Sequence, residues 1–524
     1  MTTRAAAMTG HIPPLPTGFR NLTLSSGLRS AAARTPAKTA WIMGDARRTY
    51  QDVLARVNRF ANLATHKLGL KPGDNAALIS PNSMEFLEIV AGVSDVGAAV
   101  ATPNPKLTPR ELAGICNDAN ARVLFVHPEC ADRVDPALLD RVEHIVILDA
   151  SFEAMMAQAS DLFQPPVIAE WATFSIPYTS GTTGLPKGVM LSHRSRSVGF
   201  LAYAAEYGIF SPDDHFLAIS PMCHGAGFAF AFAAIFLGGT TEIMTKFDPE
   251  TVLRTLHKSD VTGLFTVPTH YHGMFGLAPS MLASQRGNRL RGIVANAAPL
   301  PQDMKEQIVD YFGAGLLHET YGSTEAGVVT NLRPADQLRK IKCVGLPFVG
   351  NRVRLLDDAG CEVGANEVGE LFSDSPYLFN GYWAKPEQTE AAFKDGWVSV
   401  GDLAKRDDEG YFYIVDRKKD MVISGGMNIY PREVETVLDS HPAIQESAVI
   451  GVPDARWGEA LVAFVVFKNG LSASPEDLER FSRMNLAPYK LPKSFLPVPQ
   501  LPRNANGKVQ KAALREQCAT PTAI

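Results

Sequence analysis

The chain has 524 residues, too many for one ordinary hydrophobic core, so two or more domains are expected. At 46% hydrophobic and 20% charged its composition is that of a soluble globular protein, and a formal net charge of -5 argues against a nucleic-acid partner. Six cysteines (Cys116, Cys130, Cys223, Cys343, Cys361, Cys518) are scattered without CxxC or Cys/His clustering. That suggests neither a zinc site nor a disulfide framework, and it points to a reducing, cytoplasmic compartment.

Residues 1–18, with three prolines, read as a loose tail. The leading stretch holds Arg4, Arg20, Arg29 and Arg34 before the first acidic residue, Asp45, a composition like that of a transit peptide. Leu22, Leu24, Leu28 and Ala32, however, fall largely on one helical face and read as the first helix of the fold. From Asn75 onward, β-rich runs alternate with helical patterns: 76–80, a helix from Met84, 99–102, a helix from Thr108, then 121–126. Thr108-Pro-Arg-Glu111 is a capping box with proline at the first helical position. Further strands are predicted at 144–148, 216–220, 240–244, 263–267 and 292–295. This alternation predicts an α/β fold: a large N-terminal domain of stacked α/β subdomains with mostly parallel sheets. The most apolar window, 226–237, is shorter than the roughly 20 residues that span a bilayer, so it reads as a buried helix and no transmembrane segment is expected.

The stretch Tyr178-Thr-Ser-Gly-Thr-Thr-Gly-Leu-Pro-Lys-Gly-Val-Met-Leu-Ser-His193 carries the strongest chemical signal. Gly181, Gly184 and Gly188 let backbone N–H groups turn toward an anion, Ser180, Thr182 and Thr183 add hydroxyl donors, and Lys187 supplies countercharge. Lys187 follows Pro186 and precedes Gly188, so this is a phosphate cradle that is not a Walker loop. Residues Thr179 to Gly188 resemble the phosphate loop of the adenylate-forming superfamily, which includes acyl- and aryl-CoA ligases, firefly luciferase and peptide-synthetase adenylation domains.

Several other segments carry the same resemblance. Glu319-Thr320-Tyr321-Gly322-Ser-Thr324-Glu325 is similar to the second nucleotide signature; it implies that Tyr321 stacks on adenine, Thr324 bonds the α-phosphate, and Glu325, with Thr179, holds Mg²⁺. A carboxylate suits that hard cation. Ala295-Asn-Ala297-Ala298-Pro299 matches the segment beside adenine, departing from the usual Gly-Gly-Ala-Pro or Ser-Gly-Ala-Pro form at Asn296 and Ala297. In Pro221-Met-Cys-His-Gly-Ala-Gly227, His224 matches the residue that gates the carboxylate substrate, beside Gly225; a histidine read in isolation is more often a structural hydrogen-bonder. Val267-Pro-Thr-His270-Tyr271 matches an acyl-pocket segment, with Ala295 nearby. Asp402 and Arg417 stand where the family binds ribose.

Downstream of Arg417-Lys-Lys-Asp420 about a hundred residues remain, the length of a small α+β domain. The resemblance implies a hinge at Lys419, an AMP-binding domain over 19–418 and a mobile lid over 419–524. It also implies that Ser424, Gly425 and Gly426 border the pantetheine of coenzyme A, and that Lys508, in Asn-Gly-Lys508, bridges carboxylate and phosphate. The expected activity is an ATP-dependent carboxylate:CoA ligase acting on an aryl or medium-chain acid, with ATP, Mg²⁺ and CoA. Transfer to a carrier-protein thiol, luciferase-like chemistry and a non-catalytic nucleotide sensor stay open, as do the acid itself and a homodimer.

Overall fold

A computed structural model describes residues 21–179, 186–424, 427–454, 456–504 and 508–519. Two α/β layers form the bulk of it. In a nine-stranded sheet, the strands Leu317–Ser323, Gly292–Ala295, Gly263–Thr266, His215–Ala218, Thr240–Ile243 and Thr39–Met43 run parallel in that order. Antiparallel strands close its edges, Gly327–Leu332 and Leu346–Pro347 on one side and Ala46–Thr49 on the other. The second sheet runs Thr173–Ile176, Ala99–Ala101, Asn75–Ile79, Ala121–Val126 and His144–Ile147 in parallel, flanked antiparallel by Lys187–Ser192 and Gly381–Tyr382. The alternation read from the sequence is therefore present, with strand ends within a few residues of those expected.

Helices fill the space between the sheets. Gly225–Leu237 is apolar all round and buried from Gly227 to Phe236, so it sits in the core. Phe230 stacks on Phe265 at 4.5 Å and on Tyr203 at 4.9 Å, each fully buried ring contributing about 1.5–3 kcal/mol by leaving water. The first helix, Leu24–Arg34, crosses it so closely that a Cβ on Gly27 would lie 2.1 Å from the carbonyl oxygen of Phe236. Helix Pro109–Asp118 begins at the capping box expected of Thr108 and Glu111.

A six-stranded antiparallel sheet follows, in which Asp402–Arg406 pairs with Phe412–Arg417 and puts Asp402 opposite Arg417. The C-terminal unit has its own five-stranded sheet, built on the hairpin Ile444–Asp454 with Gly458–Phe467, and its own core around Val434, Val449 and Val465. Asp416 Oδ2 accepts from the backbone N–H of Arg432, and Asp420 pairs with Arg515, so the short link between the two units is held at both ends.

His193 ties the N-terminal helix to the layer below, its Nδ1 accepting from the N–H of Leu24 at 3.1 Å. It is 1% exposed, and burial pushes its pKa down to about 4. An unfolded histidine titrates near 6.5, so between the two values the unfolded chain takes the proton and stability is lost as pH falls. At pH 5 the loss from this one group is on the order of 2 kcal/mol. His193→Asn, which keeps an acceptor, is expected to show a shallower decline of Tm between pH 7 and 5 than the parent; equal slopes in a thermal-melt series would reject the assignment.

Candidate active site

The parallel strands of the large sheet end at one edge, and the segments that follow them carry His224, Gly225, His270, Tyr271, Ala297, Ala298, Pro299, Thr324 and Glu325. This is the usual ligand-binding edge of an α/β sheet. Asn82, from the other sheet, positions the first of these loops: its Nδ2 donates to the carbonyls of Ser220 and Met244, both at 3.0 Å, and its Oδ1 accepts from Met222 N at 2.8 Å. Thr102 adds a hydrogen bond to the Cys223 carbonyl at 3.2 Å. His224 thus emerges at the N-terminus of the buried helix, half-buried, with Nε2 3.5 Å from Asn104 Nδ2. Its pKa is lowered to about 4, first by burial and then by the charges of Lys508 and Lys106, so it is neutral at pH 7.

The segment 317–332 is a hairpin. Gly322 is required where it stands, since a Cβ there would lie 2.0 Å from the Gly327 carbonyl. Thr324 is half-buried beside Gly225, and Glu325 is 9% exposed. Glu325 Oε1 accepts from Tyr382 OH at 2.9 Å, and Lys187 Nζ lies over the Tyr382 ring at 4.9 Å. Tyr382 thereby joins the phosphate-loop lysine to the acidic residue, a role that reading the sequence did not find. The nearest signal was Asn380-Gly381 preceding two aromatic residues, a turn that brings Gly381–Tyr382 alongside Lys187–Ser192. Glu325 Oε2 has no hydrogen-bond partner among the described residues, so one carboxylate oxygen is available to a hard cation. Among the described residues there is no cluster of three or more potential metal ligands.

Tyr321, Asp402 and Arg417 form a chain. Tyr321 OH donates to Asp402 Oδ2 at 2.5 Å, and Arg417 Nε meets Asp402 Oδ1 at 2.8 Å. Each carboxylate oxygen can accept a second hydrogen bond, so Asp402 can be paired and still receive hydroxyls. Lys508 is held in its loop by mutual hydrogen bonds with Asn504, both at 2.9 Å. It retains solvent access while lying among protein charges: burial and Arg417 lower its pKa, and Asp402 and Glu325 partly oppose them. The C-terminal unit therefore delivers Lys508 to the same place as Glu325, Asp402, Arg417 and His224.

Other expectations are corrected. Tyr271 does not line an open pocket: it is 0% exposed in a core of the large domain with Leu217, Val252 and Leu264, its OH 2.8 Å from Thr266 Oγ1. Ala295, at 1% exposure in a central strand, presents no surface either. His270 caps its own helix, Nδ1 accepting from Val267 N at 3.3 Å, and stacks on Phe247 at 4.5 Å. Glu319 is buried against Lys305 and accepts from Leu300 N, so it shapes the loop 297–300 from behind. Thr320 is also buried, its Oγ1 accepting from Asn296 Nδ2 at 2.8 Å.

Ala297, Ala298 and Pro299 stay exposed at the sheet edge, and Thr179 is paired with Lys187 across a short antiparallel ladder. Tyr178 and Lys385 both hold Asp118, at 2.7 and 3.1 Å, at the foot of that ladder. Lys419 lies in the turn after Phe412–Arg417, exposed, and Ser424 ends the strand Val422–Ser424. Ser180, Gly181, Thr182, Thr183, Gly184, Gly425, Gly426 and the tail 1–18 lie outside the described residues.

The AMP-binding enzyme family model matches residues 28–383, and the AMP-binding enzyme C-terminal domain matches 433–508. The chain belongs to the AMP-binding enzyme family. Within it the chain sits among the acid–thiol ligases, the AMP-forming acyl- and aryl-CoA synthetases. It is 36% identical over 503 residues to a feruloyl-CoA synthase of an Amycolatopsis species, covering 95% of this chain and 100% of the relative. A long-chain-fatty-acid–CoA ligase of Bacillus subtilis is 34% identical, with 97% and 96% covered. Among solved structures, ATP-bound MatB from Rhodopseudomonas palustris superposes with a TM-score of 0.87 at 32% identity, over 95% of this chain and 99% of that one. The o-succinylbenzoate coenzyme A synthetase of Bacillus subtilis, solved with ATP and magnesium ion, gives 0.83 at 28% identity, over 94% and 99%.

One departure from the AMP-binding pattern carries a measurable cost. Ala297 has φ +76°, a left-handed conformation that costs an L-residue about 1–2 kcal/mol and glycine little. Asn296 braces it, its Oδ1 accepting from the Ala297 N–H while its Nδ2 binds Thr320. Ala297→Gly is expected to stabilise the protein by about 0.5–1 kcal/mol, read as a higher Tm; a lower Tm would show that the Ala297 methyl contributes more than its backbone strain costs.

Proposed function

We propose that the chain activates an aryl or medium-chain carboxylic acid with ATP and transfers the acyl group to the thiol of coenzyme A. In the first half-reaction a carboxylate oxygen attacks the α-phosphorus, the bond to the bridging oxygen breaks, and pyrophosphate leaves. In the second, the CoA thiolate attacks the acyl-adenylate carbonyl and AMP departs. The observation that carries this reading is the convergence of Lys508, from the C-terminal unit, with Glu325, Asp402, Arg417 and half-buried His224 from the large one.

The residues divide the work as follows. Lys187 and Lys508 offer countercharge to phosphate and carboxylate, and Thr324 offers a hydroxyl near the reacting groups. Asp402 and Arg417 bind the ribose, and Tyr321 lies under the base beside exposed Ala297–Pro299. Glu325 Oε2, with Thr179 nearby, would hold a magnesium ion, which supplies charge neutralisation to the phosphates. Neutral His224 guards the acid's entrance without adding a charge that would compete with Lys508. Such fixed donors act where charge develops and need no reorganisation at the moment of reaction.

The two half-reactions need different surroundings, and Lys508 occupies the space in which the thiol must arrive. A turn of the 419–524 unit about Lys419 withdraws Lys508 and brings Ser424 with its two following glycines over the site. Such a lid motion exchanges one catalytic face for another. Both the feruloyl and the long-chain fatty-acid relatives are compatible with an aryl or an aliphatic acid here. The acceptor is read as CoA.

A panel of carboxylic acids in a pyrophosphate-release assay, with and without CoA, tests the reading; pyrophosphate formed with AMP release independent of CoA for every acid would favour a carrier-protein acceptor. Lys508→Ala is expected to lower adenylate formation at least about 100-fold and to leave thioester formation from supplied adenylate within a few-fold of the parent. Equal loss in both steps would sink the assignment of Lys508. Lys419→Pro should keep pyrophosphate exchange and slow overall turnover, and undiminished thioester production would count against the hinge.

A further inference from the structure

Arg196 stands in the helix His193–Tyr207, one turn from its start, and is 5% exposed. No hydrogen bond or ion pair to its guanidinium exists among the described residues, and Nε is enclosed without an acceptor. Several other buried charges among the described residues are paired with an opposite charge: Glu88 with Arg48 and Arg56, Asp95 with Arg29, Asp214 with Arg291, Glu319 with Lys305. An unpaired buried cation is costly. Burial accordingly lowers the Arg196 pKa, although a guanidinium keeps its charge at any working pH.

The far end of this side chain reaches the active site. Arg196 Nη2 lies 3.5 Å from the point a Cβ on Gly225 would occupy, and Thr324 Cγ2 and Oγ1 lie 3.6 and 3.8 Å from the same point. A Cβ at Gly225 would thus sit in ordinary contact with a guanidinium on one side and the reaction-centre threonine on the other, so the glycine places both groups around one spot. A planar guanidinium fork matches a carboxylate with two parallel hydrogen bonds. The phosphates already have Lys187 and Lys508. Pairing the attacking carboxylate itself with a fixed buried arginine would stabilise the ground state, in which its charge is greatest, and slow the reaction.

We propose that Arg196 is a specificity-determining residue that receives a second carboxylate of the acid substrate, set a short distance from the one that is adenylated. The proposal rests on the ligase reading above and names the substrate class: a dicarboxylic acid, whether its skeleton is aryl or aliphatic.

Matched pairs of acids test this with the full-length enzyme: butyrate against succinate, and benzoate against phthalate, in ATP–pyrophosphate exchange. The parent enzyme is expected to prefer at least one diacid over its monoacid partner by about 100-fold in kcat/KM, the scale set by leaving a buried charge unpaired. Arg196→Met should remove that preference by lowering the diacid rate about 100-fold while leaving the monoacid within threefold, and Arg196→Lys should keep part of it. A parent that prefers the monoacids, or an Arg196→Met variant that loses all acids alike, would overturn the proposal, the latter placing Arg196 on the reacting carboxylate. Thermal shift by each diacid without ATP separates the two readings. An Arg196-dependent shift with no exchange for any acid would reject the ligase and keep the diacid site. Exchange with monoacids and no diacid shift would do the reverse.

Discussion

Everything in this molecule is arranged around the repulsion between a carboxylate and a triphosphate that must come within bonding distance. At an effective dielectric near 20, two unit charges 4 Å apart repel by about 4 kcal/mol, and the triphosphate carries several. The protein's answer is to converge cations from separate parts of the chain: Lys187 beside the phosphate loop, Arg417 at the end of a hairpin, Lys508 from the C-terminal unit. None of them is adjacent in sequence. Folding energy from the two cores holds them at a separation they would not choose in water, which is the sense in which the site is prepared before substrate arrives.

Tyr382 shows how that preparation works in detail. Its ring lies under the Lys187 ammonium and its hydroxyl reaches Glu325 Oε1, so a cation and an anion are held near one another without being allowed to pair. A direct Lys187–Glu325 ion pair would neutralise both groups. Asp402 solves a related problem by using one lone pair of each oxygen for Tyr321 and Arg417 and keeping the others.

The layer architecture was legible because strand period and helix period are local properties, and the parallel strands near 263–266 and 292–295 lie almost where alternation put them. Motif loops were legible because they follow those strands. Which way a side chain faces was not. Glu319 and Thr320 lie in the same signature as Tyr321, yet both are buried behind the loop they support. Tyr271 sits on a helix that begins at the correct edge, but its face of that helix turns into the core. Arg196, three residues beyond His193, belongs to none of the motifs, and only the packing shows that it is enclosed. Tyr382 lies nearly two hundred residues beyond Lys187, and no spacing rule links them.

Asn82 bears on how such an enzyme can diversify. A single amide spends both donors and its acceptor on the loop that carries His224 and on the neighbouring strand end, while its own backbone lies in the loop that follows Asn75–Ile79 of the other sheet. It acts as a spacer between the two layers, fixing where the loop before the buried helix stands. Gly225 and Arg196 take part in none of these hydrogen bonds, so an exchange at either leaves the anchor in place. The side chains around Gly225 and the placement of the His224 loop are thus adjustable separately.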